Sequence, residues 1–188
     1  MAQPSKKNHI VEVALCLFYK HGFNATGIEK IRAEAAISKK TLYNHFASKD
    51  DLILAVLRLR DVQFRRNFTR AVEHFGKTPA KRLEAVFDAL EEWFNGKDFY
   101  GCMFINASGE FSDPCSPIHS ISAEHKRRMY DYVMKLAKEA GAKNPQKLSQ
   151  QLNLLMEGAI VQAHVSGYKL AARRAKEMAK LFINDALG

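Results

Sequence analysis

The sequence predicts an all-α fold: a three-helix helix-turn-helix domain over residues 1–50, then a larger helical domain over residues 51–188. Three observations predict it. Apolar residues recur at helical spacing almost throughout. Strand-like alternation and hairpin signals are scarce, and the one Asn-Gly pair, Asn95-Gly96, follows a helical pattern and reads as a helix end. Helix-starting residues crowd the first quarter at Thr26, Ser38 and Ser48, which calls for short helices joined by tight turns.

Each element has its own signals. The first helix is expected from about Ser5 to His21, with Ile10, Val13, Ala14, Leu17 and Phe18 on one face, Cys16 opposite and Gly22 as the stop. Thr26-Gly27-Ile28-Glu29 has the form of a capping box, the threonine oxygen taking an orphan N–H and Glu29 reaching back. A short helix follows to about Ala35, with Ile28 and Ile31 inward. Ser38 then caps Lys39–His45, where Leu42 and Phe46, four apart, share one face. Ser48 starts a long helix that ends at Gly76. Further helices are expected over 80–94, 118–140 (stopped by Gly141), 145–166 (opened by Asn144-Pro145) and 168–187, while DFYGCMFINASGEF and SDPCSP are left as connecting segments.

Composition narrows the function. With 47% hydrophobic and 26% charged residues, the chain can bury a core. Its net charge is +9, and residues 1–50 hold eight Lys/Arg against four Asp/Glu, a charge density more than twice that of the remainder. Such a balance suits a polyanionic partner, nucleic acid or an acidic membrane surface. Cys16, Cys102 and Cys115 form neither a CxxC nor a dense framework, so a reducing cytoplasm is expected, with no disulfides and no zinc finger. MAQPSKKNHIVEV lacks the form of a secretory signal, and no run of eighteen apolar residues occurs, so a soluble chain off the membrane is expected.

The stretch SKKTLYNHF carries the chemistry. With Leu42 and Phe46 inward, Lys40, Thr41, Tyr43 and Asn44 sweep the outer arc, and Lys39 projects from the N-terminal end. Standing alone, such a face would be an ordinary solvated one. The exposed aromatic Tyr43 and the spacing of the preceding elements point instead to a DNA major groove, where Asn pairs with adenine and Lys with guanine. Ser38 and the helix start add a place for a phosphate.

Residues 10–52, through LFYKHGFNAT, IxxIxxxAxIS and KKTLYNHFASKDDL, resemble the DNA-binding domain of the TetR/AcrR family of transcriptional regulators. Residues 53–188 resemble the family in helical layout and in GCxxxNASGEF. The resemblance implies that Lys39 and Lys40 contact base edges, that Thr41, Tyr43 and His45 hold phosphates or flanking bases, and that Lys49 and Thr26 lie near the backbone. Two positions depart from the family pattern: Gly27, where Ser or Thr is usual, and Arg32, where alanine is usual. Glu29 is expected as the capping partner, with a cytosine amino group as the alternative.

One such module spans few base pairs, so specificity requires two copies on a palindromic operator. LNLLMEGAIVQAHV is apolar on nearly every face, which suits either a subunit interface or the central core of a monomer. The resemblance implies a homodimer through the two C-terminal helices. It also implies that a small-molecule effector releases the DNA. Candidate effector-binding residues are Trp93, Phe104, Asn106, Glu110, Phe111 and His164, within an aromatic-rich stretch that also holds Phe94, Phe99 and Tyr100, so an apolar or aromatic effector is expected. The bland reading of these rings is core. Cys102 is either a redox or electrophile sensor or a buried inert thiol. His119, His125 and His164 are too scattered for a metal site, no cofactor is expected, and no GxSxG, HExxH or phosphate loop points to an enzyme. The competing classes are an architectural DNA-binding protein without an effector and a helical enzyme.

Overall fold

The computed structural model describes residues 5–188; residues 1–4, the start of the expected first domain, lie outside the described residues. Nine α-helices and no strand occur among the described residues: α1 Lys6–His21, α2 Ile28–Glu34, α3 Lys39–His45, α4 Lys49–Phe75, α5 Pro79–Phe94, α6 Met103–Glu110, α7 Pro117–Glu139, α8 Pro145–Val165 and α9 Ala171–Leu187. They form two compact units. One takes in the chain as far as Gln63 together with Cys102–His125, and the other holds Phe64–Gly101 and Lys126–Gly188. This division differs from the cut expected at residue 50, because the first part of α4, α6 and the first part of α7 group with α1–α3.

In the first unit the helix ends follow from local chemistry. The Ser5 hydroxyl accepts from the Asn8 N–H at 3.3 Å and starts α1. Gly22, at φ +86°, stops it, the glycine taking a conformation that other residues adopt only under strain. The buried face of α1 is Ile10, Val11, Ala14, Leu15, Phe18 and Tyr19, rotated slightly from expectation so that Val13 and Leu17 are half-buried. Between α2 and α3 the chain turns at Ala36, φ +51°, with the Ile37 N–H on the Arg32 carbonyl at 3.0 Å and the Ala36 N–H on the Ala33 carbonyl at 3.2 Å. That paired closure satisfies two carbonyls at the α2 end and sets the direction of α3.

The capping box at Thr26 does not form. Gly27 is the N-cap of α2 and makes no side-chain bond. Thr26 is fully buried, and its hydroxyl donates back to the Gly22 carbonyl at 2.7 Å. Glu29, exposed, pairs with the Arg32 guanidinium instead of reaching back. Moving the cap by one residue turns the threonine inward, where its hydroxyl finds a partner in the α1 end.

Segment 103–110, expected as a connection, is helix α6. Cys102 is its N-cap and is buried, whereas Cys16 and Cys115 are exposed. Also in this unit, His125 and Asp61 meet at 2.8 Å with side chains only 3% and 4% exposed, and the Phe104 ring stacks on His125 at 3.7 Å between centroids.

In the second unit α9 packs on both α5 and α8. Antiparallel ion pairs run along the α5–α9 seam: Arg173 with Glu91 at 2.7 Å, Lys176 with Asp88 at 2.7 Å and Lys180 with Glu84 at 3.8 Å. These partly exposed pairs fix register more than they add stability. Helix α7 runs beside α8, with Lys126 on Glu157 at 2.6 Å and the Ser149 hydroxyl on the Met134 sulfur at 3.8 Å.

The two sides of α3 differ in what they support. Leu42→Ala is expected to lower the unfolding free energy by about 2–5 kcal/mol, and Tyr43→Ala to change it by less than about 0.5 kcal/mol. Denaturant titration of both variants checks this. A Tyr43 loss as large as that of Leu42 would place the tyrosine ring in the core.

Candidate nucleic-acid interface

Helix α3 is pinned from below. Leu42 is fully buried and Phe46 nearly so, with the Lys7 ammonium 5.7 Å from the Phe46 ring centroid. The His9 ring nitrogen lies 3.3 Å from the Ala35 carbonyl and ties α1 to the α2 end. The Ser38 hydroxyl accepts from the Thr41 N–H at 3.0 Å and lies 2.9 Å from the Thr41 hydroxyl, so the expected cap forms.

Above that base the residues singled out in the sequence share one surface. Lys39, Lys40, Asn44 and His45 are exposed, Thr41 is half-buried and Tyr43 is 45% exposed. A large ring left in water beside two lysines and an asparagine has the composition of a groove-reading face. Lys49, half-buried, opens α4 directly after Ser48, whose hydroxyl accepts from the Asp51 N–H at 3.1 Å.

The electrostatics around α3 are soft. Lys39 Nζ lies 3.8 Å from the Glu29 carboxylate, with both side chains more than half exposed. Such a pair exchanges readily for a phosphate or base contact. The hydrogen bond from Arg32, helped by its charge and that of Lys39, holds the Glu29 carboxyl below the usual carboxylate range. Arg32, one of the two departures from the family pattern, thus pairs with Glu29 beside the start of α3.

Thr26 stands apart from the other expected DNA contacts. Its side chain is enclosed, and its hydroxyl donates to the Gly22 carbonyl at the α1 end.

Family models match in two places: that of the bacterial regulatory proteins of the tetR family over residues 10–56, and that of the tetracyclin repressor-like C-terminal domain over residues 79–179. The chain belongs to the TetR family. Its structure is similar to that of a TetR-family transcriptional regulator from Streptomyces coelicolor, with a TM-score of 0.90 and 28% identity over 99% of this chain and 92% of that one. In sequence it is similar to the HTH-type transcriptional repressor DhaR of Mycobacterium sp. (strain GP1), 27% identical over 72% of this chain. It is also similar to the HTH-type transcriptional regulator YjdC of Escherichia coli (strain K12), 23% identical over 82% of this chain. The matched region spans 65% of the Mycobacterium repressor and 81% of YjdC.

In TetR-family terms the expected effector residues divide between the two units. Trp93 and His164 lie in the second. Trp93 makes ring contacts with Phe64 at 4.8 Å and Phe99 at 5.1 Å, and Phe99 lies 6.2 Å from the exposed His164 ring. His164 packs so closely on Gly101, φ +80°, that a Cβ there would sit 2.3 Å from Nδ1. Phe104, Asn106, Glu110 and Phe111 lie in the first unit. Phe104 is buried against His125, and Asn106 is half-buried.

Glu110 bonds to backbone within the first unit. Its two carboxylate oxygens accept the backbone N–H groups of Phe23 at 2.9 Å and Asn24 at 2.6 Å, and the next ring, Phe111, meets Phe23 edge-on at 6.1 Å. Both residues therefore contact the α1–α2 turn. Sequence reasoning also missed the Asp61–His125 pair. The signal was present, since Asp61 falls four residues after the buried Leu57 on the inward face of α4. Among the described residues no group of three His, Cys, Asp or Glu side chains could hold a metal ion, and no helix is long and apolar enough to cross a membrane.

On duplexes that the protein prefers, Lys40→Ala is expected to relax sequence preference at one or two base positions, at a cost of about 1–3 kcal/mol. Lys49→Ala should weaken binding to every duplex alike and make the salt slope shallower by about one. Thr26→Val should lower stability by about 1 kcal/mol and leave that slope unchanged. Anisotropy titrations at several salt concentrations, with denaturant melts, separate the three.

Proposed function

We propose that this TetR-family chain is a homodimeric, cytoplasmic repressor that binds a palindromic operator through α3 and leaves it when a small apolar or aromatic effector binds. The observation that carries the DNA part is the exposed face of Lys39, Lys40, Thr41, Tyr43, Asn44 and His45, set over the buried Leu42 and Phe46.

The dimer part rests on the second unit. Leu154, Val165 and Leu181, on α8 and α9, are 74%, 77% and 70% exposed. Leu154 lines an open apolar groove of ≈ 260 Å³ together with Gly158, Ala159, Tyr168, Ala175 and Met178. The small residues at 158, 159 and 175 leave room for close helix approach. A second copy presenting the same two helices would cover the face in an isologous contact, as two-fold symmetry requires.

The effector part rests on the cluster of Phe64, Trp93, Phe94 and Phe99, where Trp93 and Phe99 are only half-buried. An effector would need to favour the DNA-incompetent arrangement by about 1–3 kcal/mol for useful regulation. The relatives named above are regulators and repressors by name, which favours this reading over a helical enzyme.

Selection of bound fragments from random duplex DNA tests the proposal. The expected result is a palindromic consensus whose half-sites are centred roughly one helical turn (about 34–36 Å) or more apart. Enrichment of unrelated sequences, with affinity governed by salt alone, would favour an architectural protein. On the dimer side, Leu154→Asp combined with Leu181→Asp should convert the chain to a monomer by sedimentation and weaken operator binding at least about tenfold. A variant that stays dimeric with full affinity would move the interface elsewhere.

A further inference from the structure

The α1–α2 turn is held from two sides. From within, the Thr26 hydroxyl returns to the Gly22 carbonyl. From α6, the Glu110 carboxylate takes the successive N–H groups of Phe23 and Asn24, one oxygen to each. Successive backbone amides turned to one side form a concave anion seat, and the positive φ of Gly22 opens this one. The fit is close: a side chain at position 22 would put its Cβ 3.1 Å from Glu110 Oε1. Phe23 is fully buried, with Phe18 at 5.2 Å on one side and Phe111 edge-on at 6.1 Å on the other.

Two features show that the carboxylate is there for the turn. Glu110 is the last residue of α6, where the helix dipole disfavours a negative charge, so the helix gains nothing from it. Helix α2 also begins at Gly27 without a side-chain cap, so its start is located by the turn that precedes it. From α2 the Ala36 turn then fixes α3. A continuous series of constrained peptide units leads from the Glu110 oxygens to the exposed face of α3.

We infer that Glu110 is a positioning residue for DNA recognition: its carboxylate, seated on the Phe23 and Asn24 amides, sets where α2 begins and hence how α3 presents its base-contacting side chains. The inference rests on α3 being the recognition helix.

The test uses the full chain and a duplex selected by the wild type, with a scrambled duplex of equal length at the same salt. Glu110→Gln and Glu110→Ala should lose roughly tenfold in affinity for the selected duplex, with Gln, which keeps one acceptor oxygen, losing less than Ala. Affinity for the scrambled duplex should change by less than about twofold, since the phosphate contacts are untouched. Helical circular dichroism should match the wild type, and the amides of Phe23 and Asn24 should exchange hydrogen faster. Where the alanine variant fails to fold, the near-isosteric glutamine variant carries the test. Selected-duplex affinity within about twofold of wild type for the glutamine variant, or an equal loss on both duplexes, overturns the inference. Lys40→Ala on the same two duplexes is the control. If it leaves the preference intact, α3 is not the recognition helix and the inference falls with that reading. If it abolishes preference while Glu110→Gln does not alter it, the inference alone fails.

Discussion

Burial of Leu42 and Phe46 under α3 is the constraint on which the rest depends. A seven-residue helix cannot hold itself in water, because nucleation costs more than two turns of hydrogen bonds return. The two apolar side chains supply what the helix lacks and also fix its rotation. With those two positions inward, Lys39, Lys40, Tyr43, Asn44 and His45 have no place but outside. Tyr43 makes the point most clearly, since its ring remains 45% exposed one residue away from a fully buried leucine. A folding requirement and the proposed recognition surface are thus two sides of one short helix.

The same logic extends outward through the turns. Ala36 adopts a left-handed conformation that glycine would take more readily, and the paired hydrogen bonds to Arg32 and Ala33 hold it there. Gly22, Thr26 and Glu110 shape the turn before α2. Helix α6 therefore belongs physically to the unit that carries α3, although 57 residues of chain separate His45 from Met103. The Asp61–His125 pair adds a second constraint in that unit. A hydrogen-bonded pair so deeply enclosed is costly to break from one side, because the remaining partner is left buried and unsatisfied, and it ties α4 to α7.

Much of this was legible in the sequence because the signals are local. Ser38, Leu42 and Phe46 define α3 at the residues where it occurs, and Gly22, Gly141 and Asn144-Pro145 mark helix boundaries within a few residues of their places. Apolar periodicity located α1, α4, α5, α7, α8 and α9. The failures have physical reasons. Segment 103–110 contains Asn106, Ser108 and Gly109, poor helix formers by themselves, and it is helical because Met103, Phe104 and Ala107 are buried. Thr26 and Gly27 each suit an N-cap, and local pattern could not show that the threonine hydroxyl would find the Gly22 carbonyl instead. Glu110 could not have been placed at all, since its partners lie 86 and 87 residues earlier and are backbone amides, which carry no sequence signature.

The central claim, that the outer face of α3 enters a DNA groove while its inner face stays packed, is tested most directly by mapping backbone amide shifts as a selected duplex is added to isotopically labelled protein. The account predicts that the largest changes fall at Lys39, Lys40, Tyr43, Asn44 and His45, with Leu42 and Phe46 remaining slow to exchange. Changes centred on another element, with the α3 amides unmoved at saturating DNA, would contradict it.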